Sequence, residues 1–425
     1  MDDHRPPRPG TPVRAADDFF LHVEATGAPQ IAGGIALLEP APGREPSLGD
    51  VRALVHGELP NLPHFRDRVV APSRWRRPRW VAADDLDLAW HVTERRSPDG
   101  MRGLEAIVAE LAEQAFPRDR PLWRCVWVRD VGPGRSALVF LMQHALGDGV
   151  GTVTNSLQLM RPRTALPGMD GGPGRLARAA ATSLGMAQLA TGGAPGVRTD
   201  AGSPRRSFVT AHPSLDEVRR VAKDHGVRIT DLLLGLVAEA VHATHPELAD
   251  RLGGRLRVAV SRLVPRAPGE AAANAATAAV MVELPLDDRP IGELLAETAR
   301  RAEPMRKPTR AMAARFALAS GLRLVPEPGV GWFARTVYGR RFFEAIVTNF
   351  PGPTTQLSLG GVDLDAVYPI LPLAPGAPIA LGALSWNGLL NCSLAADPAY
   401  VDGPAVLARV EKALADLSGR SEPPG

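Results

Sequence analysis

Apolar and polar positions fall into blocks of strand or helix length along the whole chain. Ile31 to Leu38 is an unbroken apolar run ending at Glu39-Pro40 and reads as a buried strand. Leu48 to Leu59 has helical spacing and is stopped by Pro60-Asn61-Leu62-Pro63. Phe65 to Val70 begins an extended piece that leads through an arginine-rich turn to Trp80-Val81, and Leu86 to Val92 reads as another short strand. Met101 to Phe116 sets Leu104, Ile107, Val108, Leu111 and Ala115 on one face, as an amphipathic helix does. Trp123 to Val128 and Ser136 to Met142 are both strand-like and flank Gly132-Pro133-Gly134, which predicts an antiparallel hairpin.

From Arg161 to Ser207 the texture changes to glycine, proline, arginine and alanine, with one predicted helix at Arg175 to Leu189. The pattern then resumes with a helix at Leu215 to His225, stopped by Gly226. Thr230-Asp231 is placed to cap a long apolar helix through Leu232, Leu233, Leu234, Val237 and Val241. Arg257 to Arg262 and Asn274 to Leu284 read as strands, Ile291 to Ala302 as a helix, and Ala311 to Leu324 as an apolar stretch with arginines on one side. Val362 to Leu371, Ile379 to Trp386 and Leu389 to Ala395 read as strands of a closing sheet, with a terminal helix at Pro404 to Leu417. A chain of 425 residues suits two domains of about 200 residues, each burying its own core. The expectation is two mixed α/β domains, residues 1–160 and 208–425, joined by a linker at 161–207.

Hydrophobic residues make up 45% of the chain and the formal net charge is only +3, which argues against disorder and against a dedicated nucleic-acid binder. Arg74 to Arg79 and Arg301 to Arg310 read first as solvated faces, and second as surfaces that could meet phosphate or an anionic membrane. Cys125 and Cys392 are the two cysteines, far apart and in no metal-ligand spacing, so neither a disulfide framework nor a structural metal site is expected. Met1 to Gly10 is polar and proline-rich, unlike a secretory signal, and the charge-free stretch from Ala179 to Val197 is too polar to span a bilayer. A reduced, cytoplasmic setting follows, with any membrane contact peripheral at the inner face.

The candidate chemistry lies at Gln143-His144-Ala145-Leu146-Gly147-Asp148-Gly149. The apolar run before it puts His144 just past the end of a buried strand, and Val150 to Met160 can wind as a helix after the Asp148-Gly149 turn. A histidine held between strand and helix is placed to act as a general base; it also reads as a core histidine satisfied by a carbonyl.

This stretch resembles the His-His-x-x-x-Asp-Gly motif of the wax ester synthase/diacylglycerol acyltransferase family, part of the chloramphenicol acetyltransferase-like and condensation-domain superfamily. Gln143 stands where the motif has its first histidine, and His144 matches the second. Further landmarks of the family recur in order: the opening Asp17-Asp18-Phe19-Phe20-Leu21, Phe65-Arg66-Asp67-Arg68, Pro78-Arg79-Trp80-Val81, His91-Val92, Pro121-Leu122-Trp123 and Asn349-Phe350-Pro351-Gly352-Pro353. Thr230-Asp231 resembles its Asn-Asp pair, with threonine in place of asparagine, and Arg257 to Arg262 resembles its strand ending in arginine.

The resemblance implies two chloramphenicol acetyltransferase-like α/β domains with mixed sheets, facing each other across an active-site tunnel. It implies an acyl-CoA-dependent O-acyltransferase that esterifies diacylglycerol or a long-chain alcohol, with acyl-CoA as co-substrate and no metal or other cofactor. His144 is then the base, and Asp148 a structural carboxylate that holds the loop through an arginine, with Arg262 as one partner. Gln143, Gly149, Asp231 and Asn349 line the site or substrate path, while Pro121, Leu122, Trp123 and Arg262 support it; Trp123 is assigned to packing. Asp231 at a helix start also meets ordinary capping demands. Partners are acyl-CoA and a hydrophobic alcohol, without nucleic acid, and with peripheral membrane or lipid-droplet contact left open. Two alternatives remain: a specialised-metabolite acceptor, and a catalytically silent paralogue that binds lipid or a partner enzyme. Gly-x-Ser-x-Gly, Walker and His-Glu-x-x-His patterns do not occur in the chain.

Overall fold

The protein is described here from a computed structural model. It describes residues 10–41, 43, 45–71, 73, 75–164, 180, 181, 183, 202–263, 277–306, 322–336 and 342–419. Most of the predicted helix at Arg175 to Leu189, most of the stretch at Ala311 to Leu324, and residues 307–310 of the arginine-rich stretch lie outside these residues.

Two six-stranded mixed sheets carry the fold. Strands are numbered β1 (Thr11–Pro12), β2 (Ile31–Leu38), β3 (Asp67–Val70), β4 (Arg79–Ala82), β5 (Val92–Arg96), β6 (Trp123–Gly132), β7 (Arg135–Gln143), β8 (Ser207–Ala211), β9 (Arg255–Leu263), β10 (Thr277–Pro285), β11 (Ala345–Pro351), β12 (Ser358–Leu359), β13 (Val362–Ile370), β14 (Ile379–Trp386) and β15 (Leu389–Ala396). The first sheet runs β12-β13-β2-β7-β6-β5, the second β10-β9-β11-β14-β15-β8, and β1-β4-β3 form a small third. Pairing is antiparallel except β5 with β6 in the first sheet, and β11 with both β9 and β14 in the second.

The β6–β7 hairpin turns at Pro133-Gly134, with Gly132 opposite Arg135. Val362 to Leu371 does not join β14 and β15 as expected. As β13 it pairs with β2, Val367 opposite Ala36, so residues of the second half complete the first sheet. The apolar pattern of β13 says that it is a strand and nothing about its neighbour, because pairing across about 330 residues of chain is not written in local periodicity. Leu86 to Val92 also departs from expectation: the Asp87 carboxylate accepts from the Trp90 amide and caps a single helical turn, Leu88–His91, before β5 starts.

Alternation along β14 shows how the sheets meet. Ile379, Leu381 and Ala383 pack in one core and Ala380, Leu384 and Trp386 in the other, so both faces are buried and the strand reads as a continuous apolar run. Gly382 sits where a Cβ would come 2.7 Å from Cγ of Pro369 on β13, so only glycine lets the two sheets approach there. Helix Met101–Ala112, four residues shorter than its apolar pattern, ties the halves together as well. Its Glu105 carboxylate accepts from both the amide and the hydroxyl of Thr210 on β8.

Candidate active site

His144 follows Gln143, the last residue of β7, and opens a short turn before the helix Gly149–Leu157. The backbone there is fixed from several sides. Gln143 N–H donates to the Leu122 carbonyl and His144 N–H to the Gln30 carbonyl, 2.9 and 2.8 Å away. Asp148 is the N-cap of the following helix, its Oδ1 accepting from Gly151 N–H at 2.9 Å. A Cβ on Gly147 would meet the backbone of Gly151 and Thr152 at 2.8 Å, and the Thr152 hydroxyl donates to the Gly147 carbonyl.

The His144 imidazole stacks on Phe20, ring centroids 3.8 Å apart. Its Nδ1 has no hydrogen-bond partner among the described residues. Burial pushes the imidazole down to about 4, with only its own backbone carbonyl working the other way. At neutral pH the ring is therefore neutral and able to accept a proton.

Gln143 is fully buried, and its side-chain oxygen accepts from Ala145 N–H, tying the turn to itself. Its amide nitrogen faces the Glu24 carboxylate without closing a full hydrogen bond. Glu24 is paired with Arg118 and also accepts from Gln30 N–H. The Gln30 side chain donates to the Leu373 carbonyl of the second half at 2.9 Å. Glu24 and Gln30 thus form a strap between the opening helix, Ala15–Glu24, and the histidine turn. Sequence reading missed this strap and Phe20; the signal available was the acidic-aromatic opening segment, whose role there was only that of a landmark.

Pro121, Leu122 and Trp123 are buried at the start of β6, next to the turn. The Trp123 indole N–H donates to the Phe65 carbonyl at 2.8 Å, and its ring stacks on His91, whose Nδ1 donates to the Trp123 carbonyl. That is a packing arrangement.

Asp231, Arg262 and Asn349 form a second group. The helix carrying Asp231 spans Ile229–Thr244, so Thr230-Asp231 lies in its first turn and does not precede it as expected. Asp231 reaches back to accept from Arg228 N–H and pairs with Arg306. Burial pushes its carboxyl up, and the Arg306 charge opposes that. Arg262 stands among Arg228, Arg306 and Asp231. Asn349 Nδ2 donates to the Thr230 hydroxyl at 3.3 Å, so the residue standing in for asparagine remains part of a hydrogen-bonded pair.

The wax ester synthase/diacylglycerol acyltransferase catalytic domain matches residues 13–163, and the C-terminal domain of the same proteins matches residues 274–418, together well over half of the chain. The chain belongs to the wax ester synthase/diacylglycerol acyltransferase family. It is therefore an acyltransferase. A probable diacylglycerol O-acyltransferase of Mycobacterium tuberculosis is 25% identical across 94% of this chain and 97% of its own length. A putative diacylglycerol O-acyltransferase of the same organism is 27% identical, over 92% and 93% respectively. Among solved structures, the wax ester synthase/diacylglycerol acyltransferase of Marinobacter aquaeolei shares the fold with a TM-score of 0.72 at 20% identity, covering 96% of this chain and all of that one. The starter condensation domain of rhizomide synthetase shares it at 0.62 and 12% identity, over 96% and 94%. The mixed α/β class expected from sequence is the class observed.

Proposed function

We propose that the chain transfers a fatty acyl group from an acyl-CoA thioester to a lipid alcohol, diacylglycerol or a long-chain alcohol, with His144 as general base. The observation that carries the reading is the part-buried His144 ring, neutral at pH 7, whose inward Nδ1 has no hydrogen-bond partner among the described residues, fixed at the end of β7 by the hydrogen bonds around it. The names of the relatives point the same way, and the condensation domain of like fold was solved in complex with C8-CoA.

In the proposed reaction His144 takes the hydroxyl proton as the alcohol oxygen attacks the thioester carbonyl carbon. The tetrahedral intermediate collapses with cleavage of the carbon–sulfur bond, and the proton passes from His144 to the departing thiolate. No covalent acyl-enzyme and no metal is needed. Asp148 positions the turn by capping its helix, and the first-turn amides beginning at Gly149 are the proposed donors to the oxyanion. Gln143 holds the turn where the family motif has imidazole. Asp231 and Asn349 shape the opposite side of a tunnel between the halves, and Arg262 supports Asp231.

Among the described residues no helix is long and apolar enough to cross a membrane. A cytoplasmic enzyme meeting its lipid acceptor at the inner membrane face or a droplet surface fits this, and the exposed Trp75 and Trp332 suit such a contact. The departures at Gln143 and Thr230 favour, as a second reading, a specialised-metabolite acceptor. Purified protein incubated with a panel of acyl-CoAs and alcohols, with thiol release followed, tests both. Turnover is expected with long acyl chains and lipid alcohols; turnover restricted to a polar acceptor selects the second reading, and none with any pair marks a silent lipid- or partner-binding paralogue.

A further inference from the structure

The helix Ala15–Glu24 turns Phe20 towards His144, and Asp18 and His22, four residues apart, lie on its opposite side. There they meet Glu327, the first residue of the helix Glu327–Thr336. We propose that Asp18, His22 and Glu327 form a divalent-cation site of the zinc or manganese class, which clamps the helix behind the catalytic histidine to the second half of the chain.

One ligand atom from each of the three residues lies within 4.8 Å of the others. Asp18 is 1% exposed, and its Oδ2 has no hydrogen-bond partner among the described residues although it is 3.8 Å from His22 Nε2. Glu327 gives Oε1 to His22 Nε2 at 2.6 Å, while its Oε2 is buried without a hydrogen bond. The two buried carboxyls face one another at this spot, and apart from each other Asp18 Oδ2 and Glu327 Oε2 accept no hydrogen bond from the described residues. The neighbouring cation, Arg77, stands 3.8 Å from Glu327 and spends a guanidinium N–H on the Leu322 carbonyl.

Two buried carboxyls held against each other, with His22 and the more distant Arg77 to balance them, are costly, and an ion at this spot adds positive charge where both can reach it. One imidazole with two carboxylate oxygens suits zinc or manganese, whereas magnesium and calcium favour all-oxygen shells. Bond lengths of about 2.1 Å place neighbouring ligands of a tetrahedral ion roughly 3.4 Å apart, so the His22–Glu327 contact opens by less than an ångström on binding. The ion takes no part in acyl transfer. It sets the pose of the helix that carries Phe20.

The test uses the full chain, stripped with chelator and titrated with zinc, manganese or magnesium chloride by calorimetry and thermal melting. One equivalent of zinc or manganese is expected to bind with a micromolar or tighter Kd, to raise the melting temperature saturably and to release protons, with magnesium much weaker. Asp18→Asn and Glu327→Gln should each weaken binding by about tenfold or more. His242→Gln, which removes a part-buried histidine paired with the exposed Asp288 elsewhere in the fold, should leave it unchanged. Either carboxylate variant is sufficient if the other does not fold, since a cooperative melt without metal identifies the usable one. Zinc and manganese binding weaker than 100 µM, or equal binding by wild type and a folded carboxylate variant, overturns the proposal.

Discussion

The Phe20 ring lies against the His144 imidazole with centroids 3.8 Å apart and planes 29° from parallel. An apolar face held this close excludes water from one side of the ring, and loss of solvation is the main reason the imidazole is pushed down to about 4. Phe20→Ala admits water there, so its pKa should rise towards 6.5. With His144 as the proposed base, the acid limb of kcat/KM is expected near pH 4 in the wild type and should move up in the variant. A pH–rate profile checks this, and an unmoved limb would remove Phe20 from the argument.

The depressed histidine also ties stability to pH. Below its ordinary 6.5 the unfolded chain takes up a proton, while the folded protein does so only near 4. Stability from this group is therefore complete above about pH 6.5 and is lost as pH falls towards 4. His91, pushed to about 4 by burial beside Trp123, adds a second contribution of the same sign. The buried carboxyls of Asp17 and Asp18, pushed up to about 6 and about 7 by burial, contribute with the opposite sign over the same range. The histidine's share is therefore read by comparison: between pH 7 and pH 5, urea unfolding should show wild type losing more stability, or gaining less, than a His144→Gln variant.

Gln143 gives a sharper test of the turn. Its oxygen holds Ala145 N–H inside a fully buried pocket, so Gln143→Leu leaves that donor unpaired and should cost about 1–3 kcal/mol of stability. Gln143→His keeps a ring nitrogen for the same amide, and turnover should stay within about tenfold, at most roughly 1.4 kcal/mol in the barrier. A gain of several orders of magnitude would show that the natural glutamine impairs the site. Melting curves and steady-state rates for both variants decide it.

What the sequence makes legible here is local. Gly132-Pro133-Gly134 between two apolar runs specifies the β6–β7 hairpin, and that hairpin delivers His144 to the end of a buried strand. Asp148 before Gly149 announces a helix cap, because capping depends on residues within one turn. Contacts between distant segments leave no such trace. Nothing near Phe20 says that it covers His144, nothing in β13 says that it pairs with β2, and Asp18 and Glu327 meet across 309 positions of chain. Asp231 shows the intermediate case. Its capping function was visible, but Ile229 begins the helix, so the carboxylate reaches back to Arg228 from inside the first turn.

His144 and Asp148 should fail in different ways when replaced. His144 makes no side-chain hydrogen bond among the described residues, so His144→Ala removes a proton acceptor and one ring stack while the His144 amide still donates to Gln30. Loss of a positioned base typically lowers the rate by about a hundredfold to ten-thousandfold, with acyl-CoA binding largely kept. Asp148→Ala removes the cap on Gly151 N–H and should cost about 0.5–2 kcal/mol of stability, frays the helix start and lowers turnover through disorder of the turn. Low temperature or a bound acyl-CoA should therefore recover part of the Asp148→Ala activity and none of the His144→Ala activity. Thiol-release rates across a temperature series, with melting curves for each protein, measure the contrast. Near-native turnover by His144→Ala at an unchanged melting temperature would end the assignment of His144 as the base.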